Sequence, residues 1–428
     1  MKWKPIETYR AFVFILDGVG DRPVPELNFR TPLEVARKPN IDYIARMGMT
    51  GLADMIEPGI RPGTDTGHLA IFGYEPYKYY PGRGPLEAIG AGAKLKPGDV
   101  ALRCNLATVE ERNGKLIVVD RRAGRIKGKD AEELVRALNE AIKEIDGVKV
   151  EFHPATAHRV ALVLRGKGLS PKISNSDPGT AKEGNPVREV VPLEDSEEAR
   201  RTAEILNKII KLSYDVLKDH PVNKRRVKEG KLPANIILTR GAGMVPLDLK
   251  SFKERFGVKG YVIAEEDTII GLAKLLGMEA EIPEGATGDL ESDVIAIGKR
   301  ALEVYETTDT DIIFVHIKGP DIAGHDADYL GKIQIIEKAD EMIGYILRNT
   351  DENKTVYAIT ADHSTPCIVR DHSGDPVPIA VKGPKCRIDK VQRYDEVSCA
   401  EGMLGKIRMV NLVPIILDLM NKRLKFGE

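Results

Sequence analysis

The chain has 428 residues, 42% of them apolar and 30% charged, with a formal net charge of -1. That length fits two domains, or one large domain with an insertion, and the apolar share supplies a sizeable core. A near-neutral balance argues against a general nucleic-acid or membrane-surface binder, and no run of about 18 uncharged apolar residues is present to span a bilayer.

The N-terminal MKWKPIETYR has no apolar h-region, so a cytoplasmic protein is expected. The first predicted strand, AFVFIL (11–16), ends in Asp17-Gly18. An acid there, followed by a tight glycine turn, can bind a metal, although a plain turn is the commoner reason for a lone Asp-Gly. In PGTDTGHLAIFGYEP (62–76) the Pro-Gly pair marks a turn and LAIF starts a buried element. Thr64 and Thr66 are rival nucleophiles on that turn, or N-caps. His68 reads as a helical-face residue without catalytic duty. GRGPLEA (82–88), with Arg83, is rich in glycine, but no GxxxxGK[ST] or GxGxxG occurs, so no nucleotide loop is assigned.

From about 98 to 180 the pattern changes to ALRCNLATV, KLIVVD, a helix near 130–145 and RVALVLRG. This reads as a small α+β insertion at 98–180 within a core made of 1–97 and 181–428. Its turn DRRAGR (120–125) carries Asp120, Arg121, Arg122 and Arg125, and His158 and Arg159 open the next strand. Arginine suits two-pronged binding of phosphate or carboxylate, whereas each one alone is an ordinary solvated charge. A polar helix (196–219) and the connector NKRRVKEGK are expected to lead back to the main sheet.

There, strands NIILT (235–239), YVIA (261–264), IIFVHI (312–317), VYAIT (356–360) and VPIAV (377–381) alternate with helices at 267–277, 289–308, 330–349 and 409–424. Strand then helix, repeated, predicts a mostly parallel sheet covered on both faces, with chemistry past the carboxyl ends of its strands. IIFVHI is followed by KGPDIAGHD, where Asp321 and His325 share a helical face. VYAIT is followed by Asp362-His363, and His372 precedes the next strand. Four cysteines, Cys104, Cys367, Cys386 and Cys399, form no CxxC pair and read as reduced cytosolic thiols. Glutamine stands only at 334 and 392, and with so many charges this points to a heat-adapted host.

Each acid or histidine alone fits a satisfied surface group. Three strand ends that all deliver them make a metal site an equal contender. Asp, His and hydroxyl ligands without thiolate suit Mn²⁺, Zn²⁺, Co²⁺ or Mg²⁺, and six or seven of them are enough for two ions, an arrangement that serves phosphoryl transfer. A hydroxyl beside two cations loses its proton near neutral pH, which favours Thr64 as nucleophile.

VFILDGVGD, PGTDTGHLAIFGYEP, GPDIAGHDAD, ITADHSTP and DHSGDPVP, in this order, resemble the cofactor-independent phosphoglycerate mutases, nearest the archaeal branch, within the alkaline phosphatase superfamily. The likeness runs nearly end to end. It implies an α/β, alkaline-phosphatase-like fold, a mostly parallel sheet flanked by helices with a smaller α+β inserted domain. It also implies one metal on Asp321, His325 and His372, and another on Asp17, Asp362, His363 and the Thr64 hydroxyl. Mn²⁺ or Co²⁺ is expected, with Zn²⁺ and Mg²⁺ as alternatives, and no 2,3-bisphosphoglycerate. Bacterial and plant members carry serine where Thr64 stands, and the lysine that assists it in the bacterial branch has no clear match. In this reading Thr64 takes the phosphate of 3-phosphoglycerate, Arg121, Arg122, Arg125, His158 and Arg159 hold the glycerate, and Asp120 shuttles its hydroxyl proton. The rival is a metal-dependent phosphatase or another phosphomutase, which differs in product. A binding protein on a decayed scaffold would have lost ligands, and every expected position is filled. The oligomeric state is left open.

Overall fold

A computed structural model describes residues 8–179, 184–384, 386–423 and 425. Most of the N-terminal stretch MKWKPIETYR, the expected boundary at 180/181 and the end of the expected helix at 424 lie outside them. The strands are β1 (Arg10–Leu16), β2 (Met49–Asp54), β3 (Val100–Arg112), β4 (Lys115–Asp120), β5 (Glu144–Ile145), β6 (Val148–Pro154), β7 (Arg159–Arg165), β8 (Ile236–Met244), β9 (Gly260–Ile263), β10 (Glu279–Glu281), β11 (Ile312–Ile317), β12 (Thr355–Thr360), β13 (Val377–Lys382) and β14 (Gly405–Arg408). The chain divides into two compact units, one made of 1–79 and 250–428 and the other of 80–249.

The first unit holds an eight-stranded sheet in the order β10-β9-β11-β1-β12-β13-β2-β14. All neighbours are parallel except β13, which runs antiparallel to both β12 and β2. β11 and β12 are buried along their whole length, and β1 from Ala11 onward. That is why they read as unbroken apolar runs rather than alternating ones. Helices Val294–Thr307 and Tyr329–Arg348 pack together and contribute Ile297, Ala301, Ile335, Ile336 and Ile343 to the core. The first of them starts later than expected because Asp293 caps it, accepting a hydrogen bond from Ala296 N. No helix among the described residues is long and apolar enough to cross a membrane.

The second unit is an antiparallel sheet, β4-β3-β7-β6-β5, with β8 paired to β3. One face packs Leu102, Cys104, Leu106, Phe152 and Leu162 against helices Lys129–Ala141 and Glu197–Leu217. The other face is thin. Ala101, Ala161 and Val163 meet Ala88 of helix Arg83–Gly90. Two expectations change here. NIILT belongs to this antiparallel sheet and not to the main one. The unit also runs from Tyr80 to Leu249 rather than over 98–180. The reason is the same for both: the long β3 requires a partner along Val100–Ala107, and β8 supplies it. The amphipathic helix Glu197–Leu217 buries Ile205, Leu206 and Ile209 in this core, so it does not lead back to the main sheet.

Candidate active site

β11, β1 and β12 lie side by side, and their last residues are in register: Leu16 pairs with Ile317, and Ile15 with Thr360. Adjacent strands are about 4.8 Å apart, so the loops that follow them leave one rim together. These loops carry Asp17, Lys318 to His325, and Asp362-His363. The antiparallel β13 starts at that same rim, which brings His372 there. β2 ends at it too, and leads to helix Thr64–Ile71.

The first expected ligand set assembles: donor atoms of Asp321, His325 and His372 lie within 4.8 Å of one another. A second group of that kind joins Asp17, His363 and again Asp321. Asp362 approaches through Oδ2, 3.3 Å from His363 Nε2. Thr64 Oγ1 lies 3.3 Å from that same nitrogen. The three imidazoles are set alike. His372 Nδ1 meets the Pro62 carbonyl at 2.8 Å, and His325 Nδ1 meets that of Arg370 at 3.0 Å. His363 Nδ1 lies 3.0 Å from Thr365 Oγ1, whose single proton goes to Asp321 Oδ1 at 2.6 Å. A carbonyl or a committed hydroxyl can only accept, so each Nδ1 carries the proton. In its neutral form each ring therefore presents the lone pair of Nε2 to the acid cluster. Buried Asp17 Oδ1 and Asp362 Oδ2 have no hydrogen-bond partner among the described residues. Three such nitrogens, spare carboxylate oxygens and no thiolate form a donor set that fits divalent cations of the Mn²⁺, Co²⁺ or Zn²⁺ kind.

Electrostatics give the same reading. Burial opposes ionisation of Asp17, but Lys318 beside it and the hydrogen bond from His316 hold its carboxyl well below the usual range. Asp362 goes the other way, pushed up to about 7 by burial and then by the charge of Asp17. For Asp321, burial is again outweighed, by His372 and Lys318, and its carboxyl falls well below its ordinary value. His372 is raised to about 9 against its burial, chiefly by Asp321. Asp362 is thus held back from ionising by its surroundings, and an added cation is what would favour its charged form.

The two threonines separate. Thr66 Oγ1 donates to the Gly63 carbonyl at 3.0 Å and accepts from Gly63 N at 2.9 Å, closing the turn on itself. Thr64 Oγ1 faces the cluster. His68 is fully buried, with Nδ1 2.8 Å from the Thr64 carbonyl and 3.3 Å from Asp362 Oδ2, so it fixes the turn rather than decorating a helical face. Sequence reading missed three residues of this cluster. His316 Nε2 holds Asp17 Oδ2 at 2.8 Å. Thr365 links His363 to Asp321. Lys318 meets Asp17, Asp321 and Glu266 together. The position of Lys318 directly after a strand was the one available signal; His316 is hidden inside an apolar run.

In the second unit, Asp120 Oδ1 accepts from Arg122 N at 2.6 Å, and Arg122, Arg125 and Arg159 are exposed. Arg121 differs: its fork grips Asp177, Nε to Oδ1 and Nη2 to Oδ2, both at 2.6 Å, in a buried pair. His158 is pushed down to about 4 by burial and then by Arg122, Arg159 and Arg240, so it is neutral at pH 7. Arg240 enters this group unforeseen. It follows Thr239 in β8 and stands close to Arg103, Asp177 and Arg121, with burial lowering its pKa. Assigning β8 to the main sheet hid it.

The sequence profile of the 2,3-bisphosphoglycerate-independent phosphoglycerate mutases matches residues 45–223. The protein of that name from Ignicoccus hospitalis is 49% identical over 98% of this chain and 99% of its own. The chain belongs to this family. The corresponding mutase of Methanopyrus kandleri is 47% identical, over 98% of both chains. Two solved structures extend the likeness to the fold. A Pyrococcus horikoshii protein has a TM-score of 0.77 at 38% identity, covering 99% of this chain and 100% of its own. A cofactor-independent phosphoglycerate mutase from Thermoplasma acidophilum also has a TM-score of 0.77, at 34% identity, covering 96% and 100%. The family is one of isomerases, and its fold here has the expected α/β form.

Proposed function

We propose that the chain interconverts 3-phosphoglycerate and 2-phosphoglycerate through a phosphothreonine at Thr64, without 2,3-bisphosphoglycerate, as a cytosolic enzyme of glycolysis and gluconeogenesis. The observation that carries this is the shared aim of His325, His363 and His372, each with Nε2 turned to the acids, and the Thr64 hydroxyl at the same point. Asp321, His325 and His372 would hold one divalent ion, and Asp17, Asp362, His363 and Thr64 the other, with Mn²⁺ or Co²⁺ preferred over Zn²⁺ or Mg²⁺. When bound, such ions supply charge that favours an alkoxide and neutralises phosphoryl oxygens.

Thr64 Oγ then forms the bond to phosphorus as the bond to the 3-oxygen of the substrate breaks, and the leaving oxygen takes up a proton. The freed glycerate turns, and its 2-hydroxyl attacks the phosphothreonine, giving up its proton and releasing Thr64. Asp120 is assigned the shuttling of that proton. Arg122, Arg125, His158 and Arg159 are assigned to the glycerate. Arg121, paired with Asp177, serves by shaping their surroundings. Water must be kept from the phosphothreonine, because hydrolysis there would turn the mutase into a phosphatase.

The test is turnover of 3-phosphoglycerate with and without 2,3-bisphosphoglycerate, after chelation and Mn²⁺ add-back. The expected result is 2-phosphoglycerate formed independently of the bisphosphate and only with metal restored. Free phosphate as the main product would identify a phosphatase. Full activity after chelation would overturn the two-cation reading.

A further inference from the structure

Lys318 follows β11 directly, and its Nζ has three carboxylate neighbours: Asp321 Oδ2 at 2.8 Å, Asp17 Oδ2 at 3.0 Å and Glu266 Oε2 at 3.1 Å. All three lie within ion-pair distance, and the ammonium donates a hydrogen bond to Asp17 Oδ2. In the proposed assignment Asp17 and Asp321 serve different cations, and in both Lys318 takes the Oδ2 atom. The other atoms face the imidazoles. Asp17 Oδ1 lies 3.2 Å from His363 Nε2. Asp321 Oδ1 lies 3.4 Å from His325 Nε2 and 3.5 Å from His372 Nε2. The ammonium is anchored from behind by Glu266, and the backbone N of Lys318 donates to Glu265 Oε2 at 2.7 Å.

We propose that Lys318 is a positioning residue that spans the two ligand sets, holding Asp17 and Asp321 by their outer oxygens so that the inner oxygens face the cations. A carboxylate rotates easily about its last torsion, and either oxygen can serve a metal. His316 also holds Asp17 Oδ2, at 2.8 Å, and Thr365 holds Asp321 Oδ1, at 2.6 Å, but Lys318 is the side chain that restrains the outer oxygens of both carboxylates and so couples the spacing of the two sets. Outer partners of metal ligands act in this way, and their loss costs about 10–100-fold in metal affinity. The opposite role would be that of a competitor, an ammonium holding the place of a cation. The two roles predict opposite signs.

The inference rests on the two-cation reading, and one titration separates their failures. Full-length protein stripped with chelator is titrated with Mn²⁺ in a calorimeter, as the parent chain, Lys318→Met and Glu266→Gln. Circular dichroism and thermal unfolding are recorded in chelator. Lys318→Met is expected to weaken Mn²⁺ uptake about 10–100-fold at both sites, with the native spectrum kept. Glu266→Gln keeps the ammonium, loosens its anchor and should weaken both sites to a smaller extent. It also carries the test if Lys318→Met does not fold. Uptake unchanged or tighter in a folded Lys318→Met, or loss at one site alone, overturns the spanning role. A parent chain that takes up no Mn²⁺ overturns the two-cation reading instead.

Discussion

A hydroxyl becomes a nucleophile here by where its neighbours leave it. Thr66 Oγ1 is committed to both the N–H and the carbonyl of Gly63, whereas Thr64 Oγ1 points at His363. Thr64→Ala should therefore lower turnover by several orders of magnitude and leave the fold intact, and Thr64→Ser should stay active, since it keeps the hydroxyl and frees χ1. Thr66→Ala should lose far less. Acid-quenched enzyme given labelled substrate should carry phosphothreonine in the peptide containing Thr64; label on Thr66 would remove the claim. The arginines divide in the same manner. Arg121→Ala leaves Asp177 buried without its partner, which costs about 3–5 kcal/mol, and the second unit should melt lower. Arg159 is exposed, so Arg159→Ala should leave stability alone and instead release free phosphate alongside the isomer. Unchanged melting in Arg121→Ala would show that Asp177 tolerates the loss.

At the level of elements, the site depends on how closely helix Thr64–Ile71 approaches the loop after β12. Gly67 makes that approach possible: a Cβ there would run into the backbone carbonyl and Cβ of Asp362. Neither can yield without moving a candidate ligand. Gly67→Ala is ordinarily favourable in a helix interior. Here it should lower both thermal stability and Mn²⁺ affinity, because the helix must retreat and take Thr64 with it. A variant that gains stability and keeps its metal would show that the two elements have slack. The same economy places the loops. Only the adjacency of β11, β1 and β12 brings Asp321, Asp17 and Asp362 together, and only the reversed direction of β13 returns His372 to that rim.

On the scale of the whole molecule, the two units have separate cores, and both candidate ligand sets belong to the first. A cation that binds the folded state alone stabilises it by about 2.7 kcal/mol at a hundred times its Kd. Calorimetry with and without Mn²⁺ should thus move the unfolding of 1–79 with 250–428 upward and leave that of 80–249 in place. A single transition that moves as one would mean the two units unfold together.

Much of this was open to the sequence. Unbroken apolar runs marked β1, β11 and β12 because strands buried on both faces have no polar side to display. The acids and histidines beyond them, together with the family likeness, named Asp17, Thr64, Asp321, His325, Asp362, His363 and His372. What the sequence could not decide was pairing. NIILT has the composition of a strand in either sheet, and its place in β8 depends on β3, some 130 positions away in the chain. That one pairing set the extent of the second unit and brought Arg240 beside His158. Partnership between side chains was equally hidden. DRRAGR shows three similar arginines, and only the fold buries Arg121 on Asp177 and leaves the others exposed. Lys318 looked like a loop lysine until three carboxylates from separate segments met its ammonium. Local pattern records which face of a strand or helix is buried, because that period is written in consecutive residues. The partner of a charge comes from wherever the chain returns, and tertiary structure alone decides that.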